Sequence, residues 1–415
     1  MNNKIYKRVK NEASYILKEK CTVRELAKIM NVSKSTVHKD LQDRLKDIDE
    51  NMYKEVDKIL KYHLMIRHIN GGEATRLKYL NRKGWYLVSK DIGIDLGTAN
   101  VLIYIKGQGI VLNEPSVVAI ERESKNILAV GEDANKMLGR TPGKVKAIRP
   151  LKDGVIADFE LTEAMLNYFL KKVKAKGMIT KPRILICCPS NITKVERNAI
   201  KEAAEVTGAR KVFVEEEPKV AAIGAGIDIS LPSGSMVIDI GGGTTDIAIL
   251  SLGDIVTSKS IKVAGDLFDQ EIIKYVKNKY KLLIGEKTAE KIKIEIGTVF
   301  PDSKKDKIIV KGRDVISGLP NSITITSKEV EEALKDSVYT IVYAAKNVLE
   351  ETMPELSADI VNNGIVVTGG GALLDGLDKL LEKELKVPIR IADSPLTCVV
   401  DGTAVMLENV KLLEK

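Results

Sequence analysis

Two stretches of the chain share one pattern: an apolar strand that ends in aspartate, a turn of small residues, and a second apolar strand. Residues 91–104 read DIGIDLGTANVLIY and residues 235–250 read SMVIDIGGGTTDIAIL, with Asp95 aligned on Asp239. Glycine lets a backbone turn tightly and approach a ligand, and the N–H and hydroxyl groups of such a turn can hold phosphate oxygens. Glycine-rich turns also close hairpins that bind nothing. The repetition predicts a duplicated α/β domain whose halves hold one nucleotide between them.

Carboxylates lie beside each predicted turn and at one further strand end. Asp95 and Asp239 end the first strands of the hairpins, where they could hold a magnesium–phosphate complex through water. Glu217 lies in KVFVEEEPKVAAIGAGI, where a strand meets a helix that Pro218 begins. Ligands collect at such strand ends in α/β sheets, and a carboxylate there could orient or deprotonate a water molecule. Three solvated surface glutamates are the alternative interpretation.

Two later motifs favour the same ligand. Glu290 and Lys293 are three residues apart on a predicted helix and share a face, so they could reach a ribose and its base, although such pairs are commonly solvated. The sequence DIVNNGIVVTGGGALLDGL predicts a strand, a turn at Gly369, Gly370 and Gly371, and a helix whose N-terminus favours negative charge. The chain has no GxxxxGK[ST] motif, which excludes a P-loop enzyme.

Length and composition favour a multidomain protein of the cytoplasm. The 415 residues invite two or three domains, and an apolar fraction of 44% is ample for buried cores. No run approaches the ~18–20 apolar residues of a membrane span, and residues 1–10 do not resemble a signal peptide. The four cysteines have no metal-ligand spacing, and Cys187 and Cys188 lie in a run that predicts a buried strand.

Charge divides the chain into two unlike parts. Residues 1–90 hold 21 Lys and Arg and 11 Asp and Glu, a net charge of +10, whereas residues 91–415 carry −2. All three histidines lie before residue 91, so the larger part lacks the histidine of Ser–His–Asp or Cys–His catalysis. We expect a DNA-binding module at 1–80, a linker at 81–90, one α/β domain at 91–232, and a second at 233–415 that returns to the first at its C-terminus.

The basic front module predicts a helix-turn-helix unit. Thr22 and Glu25 form a capping box at the start of one helix, and a second helix, SKSTVHKDLQDRL, follows a break at residues 31–32. Val32 and Val37 would fill the angle between the two helices. The second helix offers side chains suited to phosphates and base edges in a major groove: Ser33, Lys34, Ser35, Thr36, His38 and Lys39. A small packing module with a solvated charged face is the alternative.

The front module also resembles a known family. VRELAKIMNVSKSTVHKDL and YHLMIRHINGGEATRLKY are similar to the SpoIIID family of sporulation regulators, which are small helix-turn-helix DNA-binding proteins, over about residues 1–80. The resemblance implies that Arg67, Arg76 and Lys78 also touch DNA, at phosphates that position the protein without specifying sequence.

Two segments are candidates for contact with a membrane. NRKGWYLVSK at residues 81–90 contains Trp85, and aromatic and basic residues together favour a lipid interface. The same segment could equally pack as the lead-in to the first strand. Met178 and Ile179 lie at a predicted exposed turn that could dip into a bilayer, although solitary exposed apolar residues are common.

The larger part resembles the actin-like ATPases over about residues 90–412. DIGIDLGTAN, NEPSVVAI, IRPLKDGVIADFE and VTGGGALL are similar to the MreB/Mbl family of bacterial cell-shape proteins, and EEEPKVAAIGAG and GGTTDIA are more similar to its Mbl branch. The resemblance implies an actin-like fold with two duplicated α/β domains, ATP and Mg²⁺ as ligands, and homopolymer filaments that hydrolyse ATP slowly. It also implies a role in rod shape, in which filaments on the inner membrane face organise the cell-wall elongation machinery.

The resemblance assigns roles to residues as well. Phosphate contacts fall to Gly97, Thr98, Ala99 and Asn100 of the first turn and to Gly241, Gly242, Gly243, Thr244 and Thr245 of the second. The ribose side falls to Glu290 and Lys293, and the base side to Gly369, Gly370, Gly371 and Ala372. Asp95 and Asp239 would organise magnesium through water, while Glu217 and Thr244 would position the attacking water. Asp246 stands where many members of the family have glutamate.

Three alternatives stay open at this point. A sugar or acetate kinase of the same superfamily would need a second substrate cleft with its own acid or base, for which the sequence offers no candidate. A sporulation regulator would use the larger part for oligomerisation or sensing. Two neighbouring reading frames joined by an error would also encode such a chain, with two complete modules and an improvised join.

Overall fold

The computed structural model describes residues 3–19, 26–27, 29–30, 32, 34–50, 52–53, 56, 91–141, 143–152, 154–173, 181–190, 192–206 and 208–409. The chain divides into two compact units, Met1–Tyr86 and Leu87–Lys415. In the described ranges, no helix is long and apolar enough to cross a membrane.

The described residues of the first unit are mainly helical. The unit contains α1 (Asn3–Glu19), α2 (Lys34–Lys39), a π-helical turn (Asp40–Arg44) and α3 (Leu45–Ile48), which follow one another without a break from α2 onward. Its core contains Val9, Ala13 and Ile16 of α1, together with Val37 of α2. Val37 is therefore buried, as the helix-turn-helix pattern predicts. The capping box at Thr22 and Glu25 lies outside the described residues.

A group of buried charges joins α1 to the π-helical turn. Asp40 is fully buried and accepts a hydrogen bond from Arg8 Nε at 2.7 Å, and it also pairs with Arg44. Glu12 is buried beside this group, and neither of its carboxylate oxygens has a hydrogen-bond partner. Burial and the charge of Asp40 raise the pKa of Glu12 to about 7. A buried polar group without a hydrogen-bond partner costs stability, so the burial of the Glu12 carboxyl destabilises this unit.

The described residues of the second unit form strands in five sheets. The strands are β1 (Ile92–Leu96), β2 (Asn100–Ile105), β3 (Gly109–Pro115), β4 (Val118–Glu121), β5 (Ile127–Val130), β6 (Val145–Ile148), β7 (Leu151–Lys152), β8 (Val155–Ile156), β9 (Arg183–Cys188), β10 (Lys211–Glu216), β11 (Ser235–Ile240), β12 (Thr245–Ser251), β13 (Asp254–Ile261), β14 (Leu282–Leu283), β15 (Lys307–Asp314), β16 (Pro320–Thr326), β17 (Ile365–Thr368) and β18 (Ile389–Ile391).

Two of the sheets have five strands each and the same topology. Their orders are β10-β9-β1-β2-β3 and β18-β17-β11-β12-β13. In each sheet, three antiparallel strands come first along the chain, and two later strands add in parallel beside the first of them. Each half also carries a three-stranded antiparallel sheet, β5-β4-β6 in the first and β14-β15-β16 in the second. The duplicated α/β architecture predicted from the two hairpins is confirmed.

Helices cover the sheets. They are α4 (Glu132–Met137), α5 (Phe159–Lys172), α6 (Lys194–Val206), α7 (Glu217–Gly224), α8 (Gly265–Tyr280), α9 (Glu286–Ile296), α10 (Ser327–Glu350), α11 (Pro354–Asn363), α12 (Leu377–Leu385) and α13 (Cys398–Glu408), with a 3₁₀ turn at Gly370–Leu373. The long α10 begins with a capping box, in which Thr326 and Glu329 satisfy each other's free backbone N–H groups.

The last helix packs back onto the first half. Met406 and Leu407 of α13 share a buried cluster with Val220 of α7 and Leu185 of β9. A close approach requires glycine at this contact, because a Cβ at Gly402 would overlap the carbonyl oxygen of Val220. The small residue therefore sets how closely α13 and α7 can pack.

We predict that Gly402→Ala lowers the free energy of unfolding by about 1–3 kcal/mol, because the added methyl forces α13 away from α7. Alanine favours a helix over glycine, so any loss must come from this contact. Gly143→Ala is the matched control, since nothing lies within 4 Å of a Cβ built there. Denaturant unfolding of both variants checks the prediction, which is wrong if Gly402→Ala is as stable as the control.

Candidate functional site

The two glycine turns face each other across a cleft between the halves. The turn between β1 and β2 and the turn between β11 and β12 both line one cavity of about 510 Å³. A Cβ at Gly242 would lie 2.7 Å from the Cβ of Ala99, so the turns touch and only glycine fits at this point. Backbone N–H groups from both halves are therefore available to a single ligand.

The cavity brings together most of the residues predicted from the sequence. Those that line it are Asp95, Gly97, Thr98, Ala99, Asn100, Glu217, Asp239, Gly241, Gly242, Gly243, Thr244, Glu290, Lys293, Gly369, Gly370 and Gly371. The two predicted residues absent from the lining are Thr245 and Ala372. Thr245 is buried, and its hydroxyl donates to the carbonyl of Val263 at 2.6 Å. Ala372 is buried in the core of the second half.

Strand pairing places the third glycine turn beside the second hairpin. β17 runs parallel to β11, with Thr368 opposite Asp239, so Gly369 begins its turn where β11 ends. The helix predicted directly after this turn is replaced by the 3₁₀ turn Gly370–Leu373, and α12 begins only at Leu377. That tight 3₁₀ turn directs the Ala372 methyl into the core instead of into the cavity.

Glu217 lies at the first turn of α7, directly after β10. Glu216 is the N-cap and Pro218 occupies the first turn, as the sequence predicts. Glu217 is 9% exposed and therefore is not one of three solvated surface glutamates. Burial raises its pKa well above the usual range, and the charges of Asp246, Asp95 and Asp239 raise it further.

Several buried carboxyls share this end of the cleft. Burial raises the pKa of Asp95 to about 7, and burial together with the charges of Asp246 and Asp95 raises the pKa of Asp239 to about 8. Asp246 is buried too, and accepts a hydrogen bond from the Ser190 N–H at 3.3 Å. A cation would relieve the repulsion among these groups.

The donor set fits a magnesium ion only in part. In the part of the chain that the structure describes, no three His, Cys, Asp or Glu side chains are grouped closely enough to hold a metal ion by themselves. Magnesium commonly keeps several waters and is bound by one or two carboxylates together with phosphate oxygens. The half-buried Asp95 and the buried Asp239 fit that indirect role.

A second group of charged residues also lines the cavity. Lys293 Nζ donates to Asp269 Oδ2 and to the Gly265 carbonyl, each at 2.9 Å. Burial raises the pKa of Asp269 to about 6, against the charge of Lys293, which lowers it. Asp266 and Arg149 line the same cavity and form an ion pair at 3.3 Å.

The chain as a whole matches known proteins. Residues 89–415 match the family model MreB/Mbl protein, and residues 2–83 match the model Stage III sporulation protein D. The cell shape-determining protein Mbl of Bacillus subtilis is 65% identical over 79% of this chain and 99% of its own length. The cell shape-determining protein MreB of Escherichia coli is 52% identical over 79% of this chain and 95% of its own.

The chain belongs to the MreB/Mbl family. The crystal structure of MreB5 of Spiroplasma citri bound to ADP covers 78% of this chain and 98% of its own, with 44% identity and a TM-score of 0.75. A second crystal structure of that protein, bound to AMPPNP, gives the same values. The actin-like fold with two duplicated α/β domains is therefore confirmed for this MreB/Mbl chain.

Five charged residues that line this MreB/Mbl cleft were not predicted from the sequence: Arg149, Asp266, Asp269, Lys304 and Asp375. Asp266 and Asp269 are three residues apart at the start of α8 and share a face, which was a readable signal. The sequence marks the buried Asp246 only as a departure from the pattern of the family. Arg149 lies far along the chain from Asp266, so its partner could not be read from local spacing.

The residues predicted for DNA and membrane contact are described only in part. Lys34, His38 and Lys39 are exposed on α2, Thr36 is half-buried there, and Ser35 lies within the same helix. The others lie outside the described residues: Ser33, Arg67, Arg76, Lys78, Trp85, Met178 and Ile179.

We predict that Asp239→Asn raises the thermal unfolding midpoint of the protein free of nucleotide and divalent cation. The pKa of this carboxyl is about 8 in the fold, above its ordinary value of 3.8. The unfolded chain therefore releases the proton first, and the wild type loses stability as the pH rises through this window. Asparagine does not ionise, so the gain should grow from about pH 4 to about pH 8.

Asp228→Asn is the control for that comparison. Hydrogen bonds from Ser230 lower the pKa of the exposed Asp228, so its removal should give no such gain. A thermal unfolding midpoint of Asp239→Asn at or below the wild-type value at pH 8 would contradict the raised pKa of this buried carboxyl.

Proposed function

We propose that residues 91–415 bind ATP with Mg²⁺ in the cleft, assemble into homopolymer filaments, and hydrolyse ATP slowly after assembly. The two halves would be residues 91–232 and 233–415, with the last helix returning to the first. The observation that carries the proposal is the contact of two phosphate-type turns from opposite halves over one cavity. The ADP and AMPPNP complexes of the Spiroplasma citri MreB5 support the choice of ligand.

Different lining residues would contact the phosphates, the ribose and the base of the nucleotide. Backbone N–H groups and hydroxyls of Thr98 to Asn100 and of Gly243 to Thr245 would hold the phosphates, with Thr245 limited to its backbone because its hydroxyl bonds to Val263. Glu290 and Lys293 would face the ribose, and the turn at Gly369–Gly371 would face the base. Ala372 would support that turn from the core.

Hydrolysis would depend on carboxyls of both halves. When bound, Mg²⁺ would offset the charge of the phosphates and of Asp95 and Asp239, through water. Glu217 and Thr244 would orient the attacking water, and a Glu217 carboxylate could accept its proton. A raised pKa in a buried site fits a group that exchanges protons during a reaction.

In the cell, we infer a role in maintaining rod shape. The curated relatives with 65% and 52% identity are named as cell shape-determining proteins. Filaments of this chain would lie in the cytoplasm on the inner face of the membrane and organise the cell-wall elongation machinery. Trp85, Met178 and Ile179 are the proposed membrane contacts.

We predict that Glu217→Gln lowers the rate of ATP hydrolysis by about 10²-fold or more, because the amide cannot take a proton from water. ATP affinity should change little, since the side chain keeps its size. Glu216→Gln is the matched control: it removes the adjacent carboxylate, which pairs with Arg197 and does not line the cavity. Phosphate release from full-length protein measures the rate of ATP hydrolysis in each variant. Equal hydrolysis rates in Glu217→Gln and Glu216→Gln would reject Glu217 as the hydrolytic residue.

Assembly has its own test. Full-length protein should pellet on ultracentrifugation with Mg-ATP above a critical concentration. Protein that stays in the supernatant at concentrations well above micromolar would overturn the filament proposal, and phosphoryl transfer to a small-molecule acceptor would favour a kinase instead.

A second proposed activity belongs to the first unit. We infer that it binds DNA, because a buried helical core presents exposed Lys34, His38 and Lys39 on α2 and because residues 2–83 match a sporulation protein family. The alternative, a sporulation regulator with the larger unit as its oligomerising or sensing part, rests on the same observation.

We predict that the full chain shifts duplex DNA in a salt-dependent manner and that Lys34→Ala/Lys39→Ala lowers the slope of log K against log salt by about 2, as expected for two lost phosphate contacts. Lys274→Ala/Lys335→Ala, which removes two exposed charges from the larger unit, is the control. A slope that changes equally in both variants would contradict the assigned DNA-binding face.

A further inference from the structure

Several polar contacts join the two halves of the larger unit in its described residues, and three of them involve side chains that come from separate elements. The Ser190 N–H of the first half donates to Asp246 Oδ1 of the second half at 3.3 Å. Arg149, which follows β6 in the first half, pairs with Asp266 of α8 in the second half. Lys287 at the start of α9 donates to the Asn135 carbonyl of α4 at 2.5 Å. The halves are thus tied together by side chains as well as by the chain itself.

The Arg149–Asp266 pair is the one of these contacts whose two members both line the cavity. Arg149 Nη1 lies 3.3 Å from Asp266 Oδ1, and each side chain is 31% exposed, so the pair lies at the rim. The Asp266 N–H donates to the Gly242 carbonyl at 2.8 Å. The arginine of one half is therefore fastened, through one aspartate, to the phosphate-type turn of the other.

The surrounding charges make this pair attractive across an otherwise acidic rim. Lys293 is the other cation that acts on Asp266, and Glu286 and Glu290 repel it. Burial raises the pKa of Asp266, and Arg149 is the first of the two cations that lower it. Arg149 is the cation of the first half that offsets the charge of Asp266.

We propose that the Arg149–Asp266 ion pair is a latch that must open before a nucleotide can enter or leave the cleft. The inference rests on the proposed nucleotide binding and adds to it a pair of residues that sets how long the nucleotide stays. Its members act on the relative position of the halves and take no part in hydrolysis.

A competing assignment makes Arg149 a direct phosphate ligand, held by Asp266 only in the empty cleft. The two assignments differ in what Asp266→Asn does. If the pair is a latch, removal of either charge opens it and speeds release. If Arg149 binds phosphate, Asp266→Asn frees the arginine for the nucleotide and slows release, while Arg149→Gln speeds it.

The test is the release rate of a fluorescent ADP analogue from full-length protein, chased with excess ATP in stopped flow. We expect Arg149→Gln and Asp266→Asn each to raise the rate constant about two- to fivefold, the effect of losing one partly exposed ion pair. The double variant should release no faster than the singles, because both remove the same interaction. Arg149→Lys should stay near the wild-type rate, since it keeps the charge.

Lys274→Gln is the control, because it breaks an ion pair with Glu271 on the same helix away from the cavity. It should leave release unchanged. Unchanged rates in the single variants, additive effects in the double variant, or opposite signs for Arg149→Gln and Asp266→Asn would each overturn the latch. Wild-type protein that binds no labelled nucleotide would instead overturn the proposed function, and with it the latch.

The unfolding midpoint of each nucleotide-free variant separates the latch from a general loss of structure. If a variant unfolds far below the wild type, the double variant Arg149→Lys/Asp266→Asn is measured in its place, because it keeps the cation and removes only its partner. Faster release of the ADP analogue from this double variant supports the latch, and release at the wild-type rate overturns it.

Discussion

The contact between Gly242 and Ala99 is the constraint on which the rest of the larger unit depends. Two hairpin turns can meet there only if one of them has no side chain, and the halves can face each other only if both first strands end at the cleft. The matching strand orders of the two sheets place β1 and β11 in equivalent positions, each with an aspartate at its end. The cavity is a consequence of duplication, because one hairpin alone would leave its turn facing solvent.

The cleft also concentrates charge that the fold does not neutralise. Asp95, Asp239, Asp246 and Glu217 lie close enough to act on one another, and the pKa of each is raised, chiefly by burial. Such an arrangement weakens the empty protein and favours a bound cation and its phosphates. These carboxyls lower the stability of the protein without a ligand. Burial of apolar side chains in the cores of the two halves offsets that loss.

Much of this could be predicted from the sequence because the signals were local. The hairpins, the Pro218 helix start and the late glycine turn each lie within a few residues, and the structure gathers them in one cavity. Thr245 does not line the cavity, because its hydroxyl donates to the Val263 carbonyl. Ala372 does not line it either, because a 3₁₀ turn and not an α-helix follows Gly369. Arg149 and Asp266 belong to different halves and come together only in the folded unit. A local sequence pattern therefore cannot predict that they form an ion pair.

If the paired turns recognise phosphates, calorimetric titration of the full-length protein with ATP, ADP and adenosine in Mg²⁺ should distinguish the three ligands. We expect one nucleotide per chain, with comparable affinities for ATP and ADP and a much weaker affinity for adenosine, which offers the turns no phosphate. Adenosine binding as tight as ATP, or no binding of any of the three, would contradict phosphate recognition by the paired turns.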